Sequence, residues 1–92
     1  MNTQAQNRET LIREIKYRKG QRGLKELNLT FAKVDDALLQ AQDDVTLTLL
    51  CDLFLRAPDY PLLEWLLGDK PVDPQFDNAA FALLQKIQRQ AA

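Results

Sequence analysis

Few residues in this chain have side chains that could carry out chemistry. Cys51 is the single cysteine, and the sequence contains neither histidine nor serine. The chain therefore lacks the side chain whose unperturbed pKa suits acid–base catalysis near neutral pH, and Ser-His-Asp and Cys-His arrangements are excluded. A zinc site would have only one thiolate plus carboxylates to draw on. The sequence predicts that this chain is not an enzyme on its own.

Two pairs of adjacent aspartates, Asp35 with Asp36 and Asp43 with Asp44, superficially match a two-carboxylate site. Neighbouring residues of a helix do not face each other, so we interpret these pairs as helix caps and solvated surface. No basic residue lies within one helical turn of Cys51 to lower its pKa, which favours a small core residue. The three glycines form neither a dinucleotide-binding nor a phosphate-binding loop. We expect no tightly bound metal or cofactor.

The stretch RGLKE, residues 22–26, combines an arginine, a glycine and a glutamate. On a helix, Arg22 and Glu26 share a face and Gly23 lies beside them. From spacing alone, the favoured interpretation is an exposed ion pair worth about 0.2–0.5 kcal/mol. The alternative is a docking surface, because Gly23 lowers helix propensity by about 1 kcal/mol relative to alanine and lets another backbone approach closely.

Charge is distributed unevenly along the chain. Residues 8–33 contain eight Lys/Arg against three Asp/Glu, whereas residues 34–77 contain two against ten. A basic segment can bind nucleic acid through counterion release. The aromatic residues of this segment are only Tyr17 and Phe31, and Phe31 falls on an apolar stripe. We therefore expect a solvated face or a protein-docking site, and no nucleic acid partner.

Length and composition favour one intracellular domain over residues 1–92. The 92 residues, 46% of them hydrophobic, suffice for one core and leave no room for a second. A lone cysteine is typical of a reducing compartment. The start, MNTQAQNRET, has neither an apolar signal core nor an import sequence, and no apolar run approaches the ~18 residues of a membrane span. We expect a cytoplasmic protein without membrane insertion, monomeric when free.

Helical periodicity covers nearly all of the sequence, and no strand-like alternation appears. The expected fold class is all-α: a compact small bundle of about five helices, each burying one apolar stripe. The second stripe alternates spacings of three and four, which predicts one helix of about four turns. The five stripes are, in chain order, Leu11, Ile12 and Ile15; Leu24, Leu27, Phe31, Val34 and Leu38; Leu47, Leu50, Cys51 and Phe54; Leu62, Leu63, Leu66 and Leu67; and Phe76, Ala80, Leu83 and Ile87.

Capping residues predict where these helices begin and end. Gly68 suits the left-handed position that ends the fourth helix. Trp65, on that helix, is either an exposed binding anchor or a side chain partly buried beside the leucines, and the second is favoured in a domain this small. The predicted N-terminal signals are Thr3 with Gln6 as a capping box, Asp44, Asp59, and Asp73 before Pro74.

Two sequence blocks in this order resemble the SdhE family of succinate dehydrogenase assembly factors. The first, YRKGQRGLKELNL, contains the R-G-x-x-E signature of that family at Arg22, Gly23 and Glu26. The second, APDYPLLEWLLG, matches the pattern P-D-x-x-L-x-x-W-L at Pro58, Asp59, Leu62, Trp65 and Leu66. The resemblance covers most of the chain, roughly residues 10–88.

The resemblance implies a helical bundle that binds the flavoprotein subunit of succinate dehydrogenase or fumarate reductase. Such a protein promotes flavinylation, the covalent attachment of FAD to a histidine of that subunit. The reactive histidine then belongs to the partner, and this chain is a non-catalytic chaperone that acts on FAD bound to the partner. The resemblance also makes Arg22, Gly23 and Glu26 the partner-binding patch, where Gly23 allows close approach and the two charges pair across the interface.

Two positions depart from the family pattern, and two other functions stay open. Members commonly have aspartate at the position of Asn28 and an aromatic residue at the position of Val34. The change at Asn28 alters a charge in or near the patch, so the partner could be a related flavoprotein in place of succinate dehydrogenase. The change at Val34 is interpreted as a core replacement. One alternative function is a helical antitoxin or regulatory protein-binding adaptor. Another is a flavin carrier that delivers FAD directly.

Overall fold

The computed structural model describes residues 3–21 and 25–91, with side chains for residues 8–21 and 25–90. Within these ranges the chain forms six α-helices and one 3₁₀ turn, and no strand. The predicted all-α bundle is therefore confirmed. The elements are α1 (Thr3–Lys19), α2 (Lys25–Phe31), α3 (Asp36–Gln40), α4 (Asp44–Arg56), α5 (Asp59–Leu67), the 3₁₀ turn (Pro74–Phe76) and α6 (Ala79–Ala91).

Helix α4 is the centre of the bundle. It packs against α1 on one side and α6 on the other, while α2 lies against α5 and α6. Side chains from every element fill the core, in agreement with one apolar stripe per helix. The fully buried leucines and isoleucine are Ile15, Leu27, Leu39, Leu47, Leu50, Leu53, Leu62 and Leu84. Within the described ranges, no helix is both long enough and apolar enough to cross a lipid bilayer.

The single long second helix predicted from the sequence is wrong, because the chain leaves the helix after Phe31 and starts a new one at Asp36. Asp35 causes the break: its backbone is extended and its carboxylate accepts a hydrogen bond from the Leu38 amide at 3.0 Å, which caps α3. Val34, in the connection, is nevertheless fully buried. Of the predicted apolar stripe, Leu27, Phe31 and Val34 are buried, Leu38 is partly buried, and Leu24 lies outside the described residues, so the stripe predicted burial better than it predicted a continuous helix.

Two predicted N-caps are shifted by one residue. Asp43 caps α4, with its carboxylate accepting from the Thr46 amide at 2.8 Å, and Asp44 lies in the first turn. Pro58 occupies the cap position of α5 without a side-chain hydrogen bond, and Asp59 follows in the first turn. Both shifts keep the carboxylate of Asp44 or Asp59 near the positive end of a helix.

The last predicted helix is also divided. Asp73 and Pro74 begin only a three-residue 3₁₀ turn, and α6 starts after Asn78, whose side-chain oxygen accepts from the Ala80 amide at 3.0 Å. Gly68 ends α5 with φ of 82°, the left-handed conformation that was predicted for it. The predicted capping box of Thr3 and Gln6 involves side chains outside the described residues.

Candidate protein-binding surface

Glu26 lies in the first turn of α2 with an exposed side chain. Among the residues that the structure describes, its carboxylate has no ion pair and no side-chain hydrogen bond. The other two residues of the predicted patch, Arg22 and Gly23, lie outside the described residues. Of the predicted patch, the structure therefore describes Glu26 and the two helices that precede and follow residues 22–24 in the chain, α1 and α2.

The inner face of α2 is fixed to the bundle by three buried side chains, Leu27, Thr30 and Phe31. The Thr30 hydroxyl donates a hydrogen bond to the side-chain oxygen of Gln88 on α6. The Phe31 ring meets the Phe54 ring of α4 edge-on, with centroids 4.8 Å apart. These contacts set the rotation of α2 and thereby direct the remaining side chains of this helix to solvent.

Lysines of α1 hold both ends of the α2–α3 connection. The Lys19 ammonium donates to the carbonyl oxygens of Phe31 at 3.2 Å and Val34 at 2.7 Å, near the end of α2. The Phe31 oxygen also accepts from the Val34 amide at 2.9 Å. Lys16 pairs with Asp36 at the start of α3, at 2.9 Å. These two contacts hold the end of α1 next to the α2–α3 connection, although residues 20–24 separate α1 from α2 in sequence.

The outward face of α2 is exposed and carries both charge and apolar surface. The exposed side chains of α2 and the turn that follows it are Lys25, Glu26, Asn28, Leu29, Ala32 and Lys33. Leu29 is 71% exposed. Sequence reasoning missed this leucine as a surface feature, although a signal was present: it lies outside the stripe formed by Leu27, Phe31 and Val34.

The second block of the resemblance forms the body of α5. Leu62 and Leu66 are buried, and Trp65 is half-buried against Phe76, with ring centroids 5.8 Å apart. The interpretation of Trp65 as a partly buried side chain is therefore confirmed. In this part of the chain the tryptophan joins α5 to the 3₁₀ turn.

A groove of about 410 Å³ opens between the end of α1 and the junction of α4 with α5. Its lining includes a cation, an acid and the exposed side chain of Leu55. One of its lining residues, Gln21, immediately precedes Arg22 in the sequence. Its described lining residues are Arg18, Gln21, Phe54, Leu55, Pro58 and Asp59.

Cys51 packs against the core with a partly exposed thiol. Burial raises the pKa of this thiol, and the nearby Arg18 guanidinium on α1 opposes the shift without overcoming it. Spacing along the chain could not reveal Arg18, which reaches Cys51 from another helix. The predicted core role of this cysteine agrees with its packing.

The adjacent aspartates act at helix ends, as the sequence predicted. Asp35 and Asp43 are caps, Asp36 pairs with Lys16, and Asp44 accepts from Arg8 at 2.8 Å. Within the described ranges, no group of three or more His, Cys, Asp or Glu side chains is arranged to hold a metal ion.

The two departures from the family pattern lie in different environments. Asn28 is exposed on α2, two residues after Glu26, whereas Val34 is fully buried. The Asn28 position can therefore change a contact at the surface. Val34 belongs to the core, which agrees with the interpretation that valine replaces an aromatic core residue at this position.

Comparison of the chain with protein-family models, with curated proteins and with solved structures gave no match. The described outward face of α2 offers two ammonium groups, one carboxylate and one apolar side chain, which together are suited to binding another protein.

Proposed function

We propose that this chain is a cytoplasmic assembly factor that binds the flavoprotein subunit of succinate dehydrogenase or fumarate reductase. It promotes the covalent attachment of FAD to a histidine of that subunit. The observation that carries the proposal is the exposed Glu26 on α2, whose carboxylate has no partner among the described residues. This glutamate occupies the last position of the R-G-x-x-E sequence, and an all-helical chain with the tryptophan block follows it.

An exposed carboxylate on a helix that is fixed by buried side chains supports a binding role for Glu26. The sequence alone favoured an exposed ion pair within RGLKE, whose contribution to stability would be small. A carboxylate with no partner among the described residues can accept hydrogen bonds from an arginine or a backbone amide of another protein. Glu26 therefore contributes to docking, and its removal should leave the fold intact.

The assembly-factor role assigns the chemistry to the partner. The flavin and the histidine that becomes attached to it belong to the flavoprotein subunit, and this chain contributes a firmly held surface. Helix α2 is suited to that task, because packing, the Thr30–Gln88 hydrogen bond and the Lys19 ammonium fix its position. Binding energy from such a surface can hold a partner in the geometry in which its own groups react.

The test is covalent flavin fluorescence of a denatured gel band. A succinate dehydrogenase flavoprotein subunit is produced alone, with this chain, with Glu26→Ala, and with Glu9→Ala, which removes an exposed carboxylate on α1. We expect a bright band with the intact chain and with Glu9→Ala, and a dim band with Glu26→Ala and without the chain. Circular dichroism of each variant provides the control for folding.

Equal brightness in all four samples, with the chain folded and expressed, would contradict the assembly function. Capture of a toxin or a cytoskeletal protein in place of a flavoprotein would then favour the antitoxin or adaptor alternative. Flavin titration of the isolated chain addresses the carrier alternative, for which a flat fluorescence curve would be the opposing result.

A further inference from the structure

Leu29 has the largest exposed fraction among the large apolar side chains of the described residues, at 71%. An isolated exposed leucine is ordinary on a protein surface. The position of this one is informative, because Leu29 follows Glu26 by three residues on α2 and so lies on the same side of the helix. The opposite side of α2 is buried, so this leucine has no route into the core of its own chain.

Charged side chains surround Leu29 on this face of α2. Lys25 lies one helical turn before it and Lys33 follows the end of α2, and neither ammonium has an ion pair among the described residues. By contrast, Arg8 pairs with Asp44, and Arg56 pairs with Asp52. The outer face of α2, which consists of Lys25, Glu26, Leu29 and Lys33, thus combines one apolar side chain with two cations and one anion that have no ion pair among the described residues.

We infer that Leu29 is the apolar anchor of the docking surface, and that it enters an apolar depression rimmed by carboxylates on the flavoprotein subunit. The inference rests on the proposed function and adds to it the chemistry of the partner surface. Because the two lysines outnumber Glu26, the complementary rim is predominantly acidic, with one cation opposite Glu26. An apolar side chain inside a ring of charged contacts matches the arrangement of interface hot spots, in which the rim excludes water from the centre.

The apolar part of this inference is tested with Leu29→Asp and a matched control, Val45→Asp. Val45 is 68% exposed, nearly the same as Leu29, but lies in the first turn of α4. It is nine residues before Phe54, the α4 residue that contacts α2, or about 13 Å along the helix. Both substitutions place a carboxylate at an exposed site, so loss of binding by Leu29→Asp alone identifies the anchor.

The measurement is the Kd for the purified flavoprotein subunit by isothermal titration calorimetry, with circular dichroism of each variant. We expect Leu29→Asp to weaken binding by at least about tenfold and Val45→Asp to change Kd by less than about twofold. Leu29→Ala should give an intermediate Kd, because it removes the apolar contact without adding a charge.

The charged part is tested with the double variant Lys25→Glu, Lys33→Glu. Its control is Lys86→Glu, Arg89→Glu, which reverses two exposed cations of α6 and changes the net charge by the same amount. We expect the α2 pair to bind at least about tenfold more weakly and to lose most of the salt dependence of Kd. The α6 pair should behave like the unmodified chain.

The outcomes separate the two proposals. If the unmodified chain binds the flavoprotein subunit and Leu29→Asp binds equally well, the assignment of Leu29 as the anchor is wrong, whereas the proposed assembly function is unaffected. Equal Kd values for the two double variants would likewise contradict the inference that the partner surface has an acidic rim. If the unmodified chain does not bind the subunit at all, the proposed function fails, and the occupant inferred here fails with it.

Discussion

Arg56 and Asp52, one turn apart on α4, are joined by two parallel hydrogen bonds of 2.7 Å, from Nε to Oδ1 and from Nη2 to Oδ2. The remaining Nη1 donates to the side-chain oxygen of Gln75 at 2.7 Å, and the guanidinium lies 5.0 Å from the centre of the Phe76 ring. The hydrogen bonds lower the pKa of Asp52 and raise that of Arg56. One side chain thus ties α4 to the 3₁₀ turn and to the aromatic contact with Trp65.

Replacing Arg56 should test this arrangement. Arg56→Lys keeps the charge but loses the planar fork that binds a carboxylate at two points, so we expect the midpoint of thermal unfolding to fall by a few degrees. Arg56→Ala should lower the midpoint further, because it also removes the contact over Phe76. Arg13→Ala is the control, since Arg13 is exposed and without an ion pair among the described residues. Equal midpoints for Arg13→Ala and Arg56→Ala would contradict the assigned role.

The cap of α4 should make stability depend on pH. Hydrogen bonds from the Thr46 side chain and amide lower the pKa of Asp43 in the folded chain. Because the unfolded chain then binds this proton more readily, the stabilisation is complete above the ordinary value of about 4 and is lost as pH falls through the lowered pKa. Asp52 has a lowered pKa and acts in the same direction.

Asp43→Asn isolates the contribution of this titration. Asparagine also caps helices but does not ionise in this range, so we expect the urea midpoint of the variant to lie below that of the unmodified chain near pH 7. The difference should shrink near pH 2.5, where the carboxylate is protonated. Asp77→Asn, at an exposed aspartate that caps no α-helix, is the control. A difference that grows on acidification would have the wrong sign for this explanation.

The comparison of sequence with structure is most informative at the α2–α3 connection. Leu27, Phe31 and Val34 were correctly expected to be buried, because an apolar spacing reports which side chains must leave water. The helix break depends instead on Asp35 as a cap and on the Lys19 ammonium, which reaches the connection from α1. A contact of that kind exists only after α1 and α2 have packed, so chain spacing does not contain it.

The same distinction applies to the candidate surface. The motif placed Glu26 on a helix, and the structure shows it exposed there. Which cations stay unpaired depends on tertiary contacts: Lys16 meets Asp36 across 20 positions, whereas Lys25 and Lys33 meet no anion among the described residues. The position of Leu29 outside the apolar stripe of α2 is the sequence feature that indicates its exposure. The spacing of apolar residues therefore predicted the helix and its buried face. Packing of the helices determines which side chains stay exposed on the other face.

The Lys19 ammonium is expected to stabilise the connection measurably. Lys19→Met keeps the aliphatic stem and removes the donor to the Phe31 and Val34 carbonyls, so we expect it to lower the free energy of unfolding by about 1–3 kcal/mol. Urea unfolding monitored by circular dichroism measures the change. Lys86→Met, at an exposed lysine of α6, should stay within about 0.5 kcal/mol of the unmodified chain. Similar losses from both variants would remove the special role of Lys19.

Cys51 is expected to be a slow thiol. Burial raises its pKa, and the Arg18 guanidinium compensates only in part, so the thiolate fraction near neutral pH is smaller than in the unfolded chain. Packing against the core further restricts access to the sulfur. We therefore expect a chromogenic disulfide reagent to react at least about tenfold more slowly with the folded chain than with the urea-unfolded chain at the same pH, and the folded rate to keep rising above pH 9. A folded rate equal to or above the unfolded rate would show an activated thiol and would reopen a redox role for this residue.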